Sequence, residues 1–571
     1  MTINNPLIPG DPYSYDLKWL VAKVKEILAQ LGTLDEAIEA KIFEGFLEHS
    51  VVQFKTVEEM LAADIVDGGI VLTLGYHEAG DLGSMFYLVQ DFNPAQCSLD
   101  YFLTMDNNRQ IAIPVVTTPY VTPEMFGAYG DGVHDDTEAF TVALTVSDNV
   151  QATKNYMVSS TGDPAITLED GQSLKGGGTI RMAPNDLSIY TIVYMAGKNS
   201  VLQDITLIGD KDGHTGSSGE WGHNISIDGE NVTVENVNSS KAWGDGVYLR
   251  GCSNVMIRNS RFNENRRNGI SVTSGSAIVV RDCYFNANGG TAPESGISVE
   301  ANEISDVIEA KFINCVCNGN IGTNGFYASL RATGSHVIFN NVQSDGGSGV
   351  AFLSGDNSAV ECVGCSWKET RSRGVYNFDI YGQTNVLVFR DNTIEGGNAI
   401  TVLRDTGNGV YNFTSDDTIK TGRFGRPALW LGDYESSNNH IHWRFIDCTF
   451  SEPAQPVIRT THPETQYLNI ENDEIKEIST TAGLDYVHDK FRIPSNTSLT
   501  ENAVALSFDM YNGMNVTIRN ESALRLRATS NQLFFTHTGN SQIIPIAAYS
   551  LNKIIGAPDK TMLAILNPFP S

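Results

Sequence analysis

Two phrases, Glu220-Trp221-Gly222-His223-Asn224 and Ala242-Trp243-Gly244-Asp245-Gly246, repeat a tryptophan, a glycine and a polar group 22 residues apart. If they lie side by side, His223 neighbours Asp245, and an imidazole beside a carboxylate is a general acid/base unit. The same register puts Trp221 over Trp243, and exposed indoles offer an apolar face to the C–H side of a sugar ring. Arg266 and Arg267 follow on the next repeat and would bring positive charge to an acidic sugar. Tyr248 faces outward beside them as a further binding residue. A purely architectural reading stands next to this one: the indoles cover a rim, and Asp245 neutralises an arginine.

Glu294 and Glu300 are the other acids on this edge. Asp245 and Glu300 lie two repeats and five residues apart, well beyond the roughly 6.5–9.5 Å of an inverting glycosidase pair. Asp245 with Glu294 comes to about 10 Å and is the better catalytic pair. Tyr327 repeats the outward register of Tyr248 three repeats on, and Lys368, Arg371 and Arg373 form a basic run that reads as a second patch or a solvated face.

What must position these groups is a repeat. A small or polar residue, usually Gly, is followed by apolar, variable, apolar, and the first apolar position falls at Ile225, Val247, Ile270, Ile297, Phe326, Val350, Val375 and Ile400. Units this short cannot bury a core alone, so the period predicts a solenoid. A second phrase follows in each unit: Asn231-Val232-Thr233-Val234-Glu235-Asn236, Asn254 to Asn259 and Ala277 to Asp282. Alternation turns Val232 and Val234 inward and Thr233 outward. Asn236, Asn259, Asp282, Asn314 and Asn341 read as turn formers.

The formal charge of −29 argues against nucleic acid or an anionic membrane as partner. No run is long enough to span a membrane, and Met1-Thr2-Ile3-Asn4-Asn5 lacks the character of a signal peptide, so synthesis in a cytoplasm without the usual export is expected. The eight cysteines read as small core residues. Cys362-Val363-Gly364-Cys365 has zinc-like spacing but no second pair or local His, and no metal or cofactor is expected. Leu17, Leu20, Val24, Ile27, Leu31, Leu34 and Ile38 form a heptad seam, which predicts an N-terminal helix for attachment or oligomerisation within residues 1–50. Residues 51–118 read as a small mixed head module, 119–475 as the solenoid, and 476–571, where strands alternate differently, as a C-terminal β-domain.

Two segments carry a resemblance. Thr73-Leu74-Gly75-Tyr76-His77 with Gly80-Asp81-Leu82-Gly83 and Tyr87 resembles the small domains that precede the solenoid in phage tailspikes. Phe126-Gly127-Ala128-Tyr129-Gly130-Asp131-Gly132, with Asp135-Asp136-Thr137 leading into a helix, resembles the opening cap of the pectate-lyase-like superfamily. In physical terms Asp135 or Asp136 accepts from the free N–H groups at the helix start, and the spacing of a calcium loop is absent. The resemblance implies a mainly β right-handed parallel β-helix of about ten coils, a homotrimer in a phage virion, joined to tail or baseplate proteins by its N-terminus. It also implies a bacterial surface polysaccharide as partner. Three activities stay open: a glycosidase, a lyase on a uronic-acid glycan with His223 or an arginine as base, or a glycan-binding adhesin without catalysis.

Overall fold

The computed structural model describes residues 51–93, 101–322, most of 324–396 and, further on, individual strands as far as Leu566. The heptad seam of residues 1–50, Arg371 and Arg373 lie outside the described residues, and of Lys368 only the backbone strand is described. Two compact units result: residues up to Ser159 with Gly171–Ala183, and Ser160–Asp170 with everything from Pro184.

The first unit carries a head sheet of β1 (Val52–Phe54), β2 (Gly69–Thr73), β3 (Met85–Asp91), β4 (Leu103–Thr104) and β5 (Gln110–Val115), in the order β1-β2-β3-β5-β4. One carboxylate organises its loop: Asp81 accepts from the backbone N–H of Tyr76, His77, Glu78 and Gly83 at 2.7–3.1 Å. These bonds hold its pKa below the usual range, although burial works the other way. That is the physical content of the Gly-Tyr-His…Gly-Asp-x-Gly motif. Further on, α1 (Thr137–Val146) buries Ala139, Phe140, Ala143 and Leu144. Asp135 accepts from Thr137 N–H at its start. Asp136, the N-cap residue, turns away and takes the N–H groups of Tyr129 and Gly130. So the two aspartates divide the work, one on the helix and one on the glycine loop.

The second unit is a right-handed parallel β-helix. Its twelve-stranded parallel sheet includes β6 (Trp221–Ile227), β7 (Val247–Leu249), β8 (Ile270–Val272) and β9 (Ile297–Glu300). Ile225, Val247, Ile270 and Ile297 pair in register and are all fully buried. Each such side chain stabilises the core by about 1.5–3 kcal/mol. The outward column runs Ser226, Tyr248, Ser271, Ser298 and Tyr327 by backbone register. Val232 and Val234 are buried and Thr233 is not. All five predicted turn formers sit in the left-handed region, with φ of 52–55°. Asn and Asp enter it at least cost after glycine, which is why they recur.

The register slips by one beyond Phe326. A bulge pairs Phe326 with Gly349 and Gly349 with Tyr376, so Val350 and Val375 are not the partners that the phrase predicts. After Glu474–Lys476 the parallel coils give way to two four-stranded sheets with antiparallel pairs, such as Val504–Ser507 against Gln532–His537. The six described cysteines are buried and unbridged.

A buried asparagine ladder ties the coils together. Asn265 donates from its N–H and Nδ2 to Asn288 Oδ1 at 3.0 and 2.9 Å, and Asn288 donates likewise to Asn320 Oδ1. Asn288→Ala strands these buried groups and is expected to cost about 3 kcal/mol. A lower urea midpoint, with the wild-type sheet signal retained in buffer, is the measurement that checks it.

Candidate functional site

A second ladder builds the site. Asp245 N–H donates to His223 Nδ1 at 3.1 Å, Asn268 N–H to Asp245 Oδ1 at 2.9 Å, and Ser295 N–H to Asn268 Oδ1 at 2.9 Å. The column His223, Asp245, Asn268, Ser295 inferred from spacing is thus a physical stack in which each coil's backbone is held by the previous coil's side chain. The glycine of the Trp-Gly phrases follows from this closeness: a Cβ on Gly244 would stand 2.4 Å from Glu220 O and 2.9 Å from His223 Nδ1.

Strict alternation would turn His223 inward, since Ile225 is inward. Asn224 breaks it. Its Nδ2 points into the interior and donates to Ser239 Oγ at 3.1 Å and Ser240 O at 2.8 Å. His223 is left to the outer face, stacked on Tyr248 with centroids 4.7 Å apart and planes at 6°. Because Nδ1 accepts from an N–H, the ring proton resides on Nε2. Nε2 is buried and has no partner among the described residues. Burial drops the pKa of His223 to about 4, with Asp245 opposing and Arg267 reinforcing. His223 is therefore a neutral donor and not a base.

Asp245 is fully buried. Besides Asn268 N–H it holds Arg267, whose Nη1 donates to Oδ2 at 3.1 Å, and His223 Nδ1 lies 3.7 Å from the same oxygen. Arg267 Nε stands 3.3 Å from Glu220 Oε2 as an ion pair, without hydrogen-bond alignment. Burial lowers the pKa of Arg267, and the carboxylates of Asp245, Glu220 and Glu300 more than offset it. Asp245 so lies behind the cavity and orients what faces it.

The cavity holds about 160 Å³. Trp221, 45% exposed, forms a wall, edge-on to Tyr248 at 5.7 Å. Ser271, Ser298 and Thr273 come from β8, β9 and their ends, and Asn302 closes the rim, donating to Tyr248 Oη at 3.4 Å. Glu220, just before β6, and Glu300, the last residue of β9, both line it. Ser298 Oγ, like His223 Nε2, is buried without a partner among the described residues. Glu220 was absent from the candidates, although it opens the very phrase that named Trp221 and His223.

Other predicted members sit elsewhere. Trp243 is stacked at 3.7 Å on His214 and covered by the Arg266 guanidinium at 3.8 Å. Two groups at that range cannot share one face, so both faces of the indole are taken, and it stacks on neither Trp221 nor a sugar. Arg266 is spent on this ring and on the carbonyls of Gly219 and Trp243, at 2.8 and 3.2 Å. The paired-indole platform and the two-arginine patch are therefore corrected to one indole and one committed arginine. Behind them the buried Asp210 pairs with His214 at 2.8 Å and accepts from Tyr190 Oη. Glu294, at φ 57°, closes its own loop by accepting from Gly290 N–H at 2.7 Å and is not among the residues lining the cavity. The Asp245–Glu294 pair is thereby lost: one member is buried in an ion pair, the other tied into a loop. Tyr327 shares the backbone register of Tyr248.

Fold and site together define a right-handed parallel β-helix with a polar cavity on the outer face of one sheet. Residues 193–342 match the family described as right handed beta helix region. The chain is 29% identical over 163 residues to an uncharacterised protein, YclG, of Bacillus subtilis (strain 168), a match spanning 25% of this chain and 28% of that relative. Among solved structures it is similar to the A-module of the mannuronan C-5 epimerase AlgE6 of Azotobacter vinelandii, at 16% identity and TM-score 0.46, covering 64% of this chain and 96% of that one. It is also similar to the tailspike protein gp49 of Acinetobacter baumannii bacteriophage Fri1, a capsular polysaccharide depolymerase, at 12% identity and TM-score 0.43, covering 91% and 98%.

Two outcomes follow from the geometry. Asp245→Ala leaves Arg267 without its buried partner and is expected to cost about 3–5 kcal/mol, read from chemical unfolding. His223 has a folded pKa below its ordinary 6.5, at about 4. The unfolded chain then binds more protons between those values, so the contribution is complete above about pH 6.5 and is lost as pH falls toward 4. Urea midpoints measured from pH 7 to 4 should fall more steeply for wild type than for His223→Asn, by up to about 3 kcal/mol.

Proposed function

We propose that this chain is a phage tailspike that binds a bacterial surface polysaccharide in the β6–β9 cavity and hydrolyses it, with Glu300 as the carboxylate that moves the proton. The observation that supports this most is Glu300 on the wall of a cavity lined also by an exposed indole and by residues whose buried polar atoms lack partners among the described residues. Glu300 has no hydrogen-bond or ion-pair partner among the described residues and is free to take a proton from the attacking water and return it to the leaving oxygen. Glu220, ion-paired with Arg267, stands too far along the register from Glu300 for a glycosidase pair and serves as a charged wall that takes ligand hydroxyls. Trp221 and Tyr248 seat the ring, and His223 Nε2–H positions a hydroxyl. Asp245 is a positioning residue acting through Arg267 and His223.

The geometry argues against the lyase reading. Elimination beside a uronate needs a cation for the carboxylate and a base for the proton. Arg267 is already matched by Asp245, and His223 is a neutral donor and not a base.

On polysaccharide from a matched host, wild type is expected to release reducing ends without an ultraviolet-absorbing unsaturated product. Glu300→Gln should lose at least about a hundredfold in rate while still binding, and Glu220→Gln should change binding more than rate. Wild-type rates in Glu300→Gln would sink the assignment, and binding without new reducing ends would make the chain an adhesin. The same reading makes the assembly a homotrimer attached to the tail through residues 1–50. Light scattering should give three chains per particle, and a monomer would overturn that part.

A further inference from the structure

We infer that the sugar unit seated in the cavity is neutral, carrying hydroxyl or N-acyl groups and no carboxylate, sulfate or phosphate. This rests on the glycan-binding reading of the cavity and narrows it.

The first argument is charge. The walls carry Glu220 and Glu300, and the one cation lining the cavity among the described residues, Arg267, has the buried Asp245 against it. One positive group thus faces three negative ones within a small, partly desolvated space, where like charges repel far more strongly than in water. Arg266, which the sequence offered as a second cation, is turned onto Trp243. Beyond the walls, Arg331 donates to the carbonyl of Asn302. An anionic substituent would enter a net negative field whose lining arginine among the described residues is already paired.

The second argument is hydrogen-bond sense, and it is independent of the first. An ionised carboxylate only accepts, so Glu220 and Glu300 require donors on the ligand. His223 Nε2–H only donates and has no partner among the described residues, so it calls for an acceptor. A hydroxyl does both, and an N-acyl group offers one of each. A uronate carboxylate could satisfy His223 but would meet the two glutamates acceptor to acceptor. The exposed face of Trp221 completes the preference, since it takes the C–H face of an uncharged ring.

The test is binding of the full chain to a panel of bacterial surface oligosaccharides, some neutral or N-acetylated and some containing uronate. Each uronate fragment is paired with its carboxyl-reduced form, and Trp221→Ala serves as the cavity control. Wild type is expected to prefer the neutral or reduced member at least about tenfold, more strongly at low salt. The double variant Glu220→Gln/Glu300→Gln should lose most of that preference, because the repelling charges are gone. If wild type binds a uronate fragment as tightly as its reduced form, and Trp221→Ala abolishes that binding, the charge selection is wrong while the glycan site stands. If binding of every fragment survives Trp221→Ala, or no fragment binds, the cavity is not the glycan site and both readings fall.

Discussion

Parallel coils in register impose one constraint on this chain: whatever stands at a given place in one coil is held by the same place in the next. Backbone hydrogen bonds supply the lattice, and two side-chain ladders sharpen it. Asn265, Asn288 and Asn320 form one inside the core. His223, Asp245, Asn268 and Ser295 form the other at the edge of the sheet. Each rung satisfies a buried backbone N–H that would otherwise lack a partner, so the ladders are as obligatory as the strands they join.

The site exists because the second ladder is also a wall. Its rungs fix the imidazole tautomer and leave the buried Nε2 proton without a partner among the described residues. They also bury Asp245 where it can restrain Arg267. A chemically suggestive pair, His223 with Asp245, thereby becomes a support, and the groups left free to act are those that the ladder does not use. Glu220 precedes it in its coil and Glu300 follows it in another. The acids that look most catalytic by proximity are the ones the fold has consumed.

Much of this was legible in the residues. The repeat located the inward column of Ile225, Val247, Ile270 and Ile297, and the recurring Asn and Asp marked the left-handed turns. The register argument also placed His223 beside Asp245 before any coordinates. It failed where local chemistry departs from period two or from equal coil length. The bulge before Phe326 shifts the pairing to Gly349. The inward turn of Asn224 reverses the facing of His223. Trp221 and Trp243 share a register, yet the loop from Asp210 to Gly219 supplies His214, which claims one face of Trp243 while Arg266 claims the other. Glu294 failed for a related reason: its loop folds back on its own carboxylate.

By itself, then, the order of residues determined the solenoid, its inward and outward faces and the neighbourhood of the chemistry. Those follow from period and alternation, which are local and additive along the chain. Only the tertiary structure decided which charges are spent and which are free. Pairing depends on where loops return and on which groups are buried together, and burial multiplies the strength of each choice. That is why Asp245, Arg266 and Trp243 became structural, while Glu220, unremarkable in the sequence, came to face the cavity.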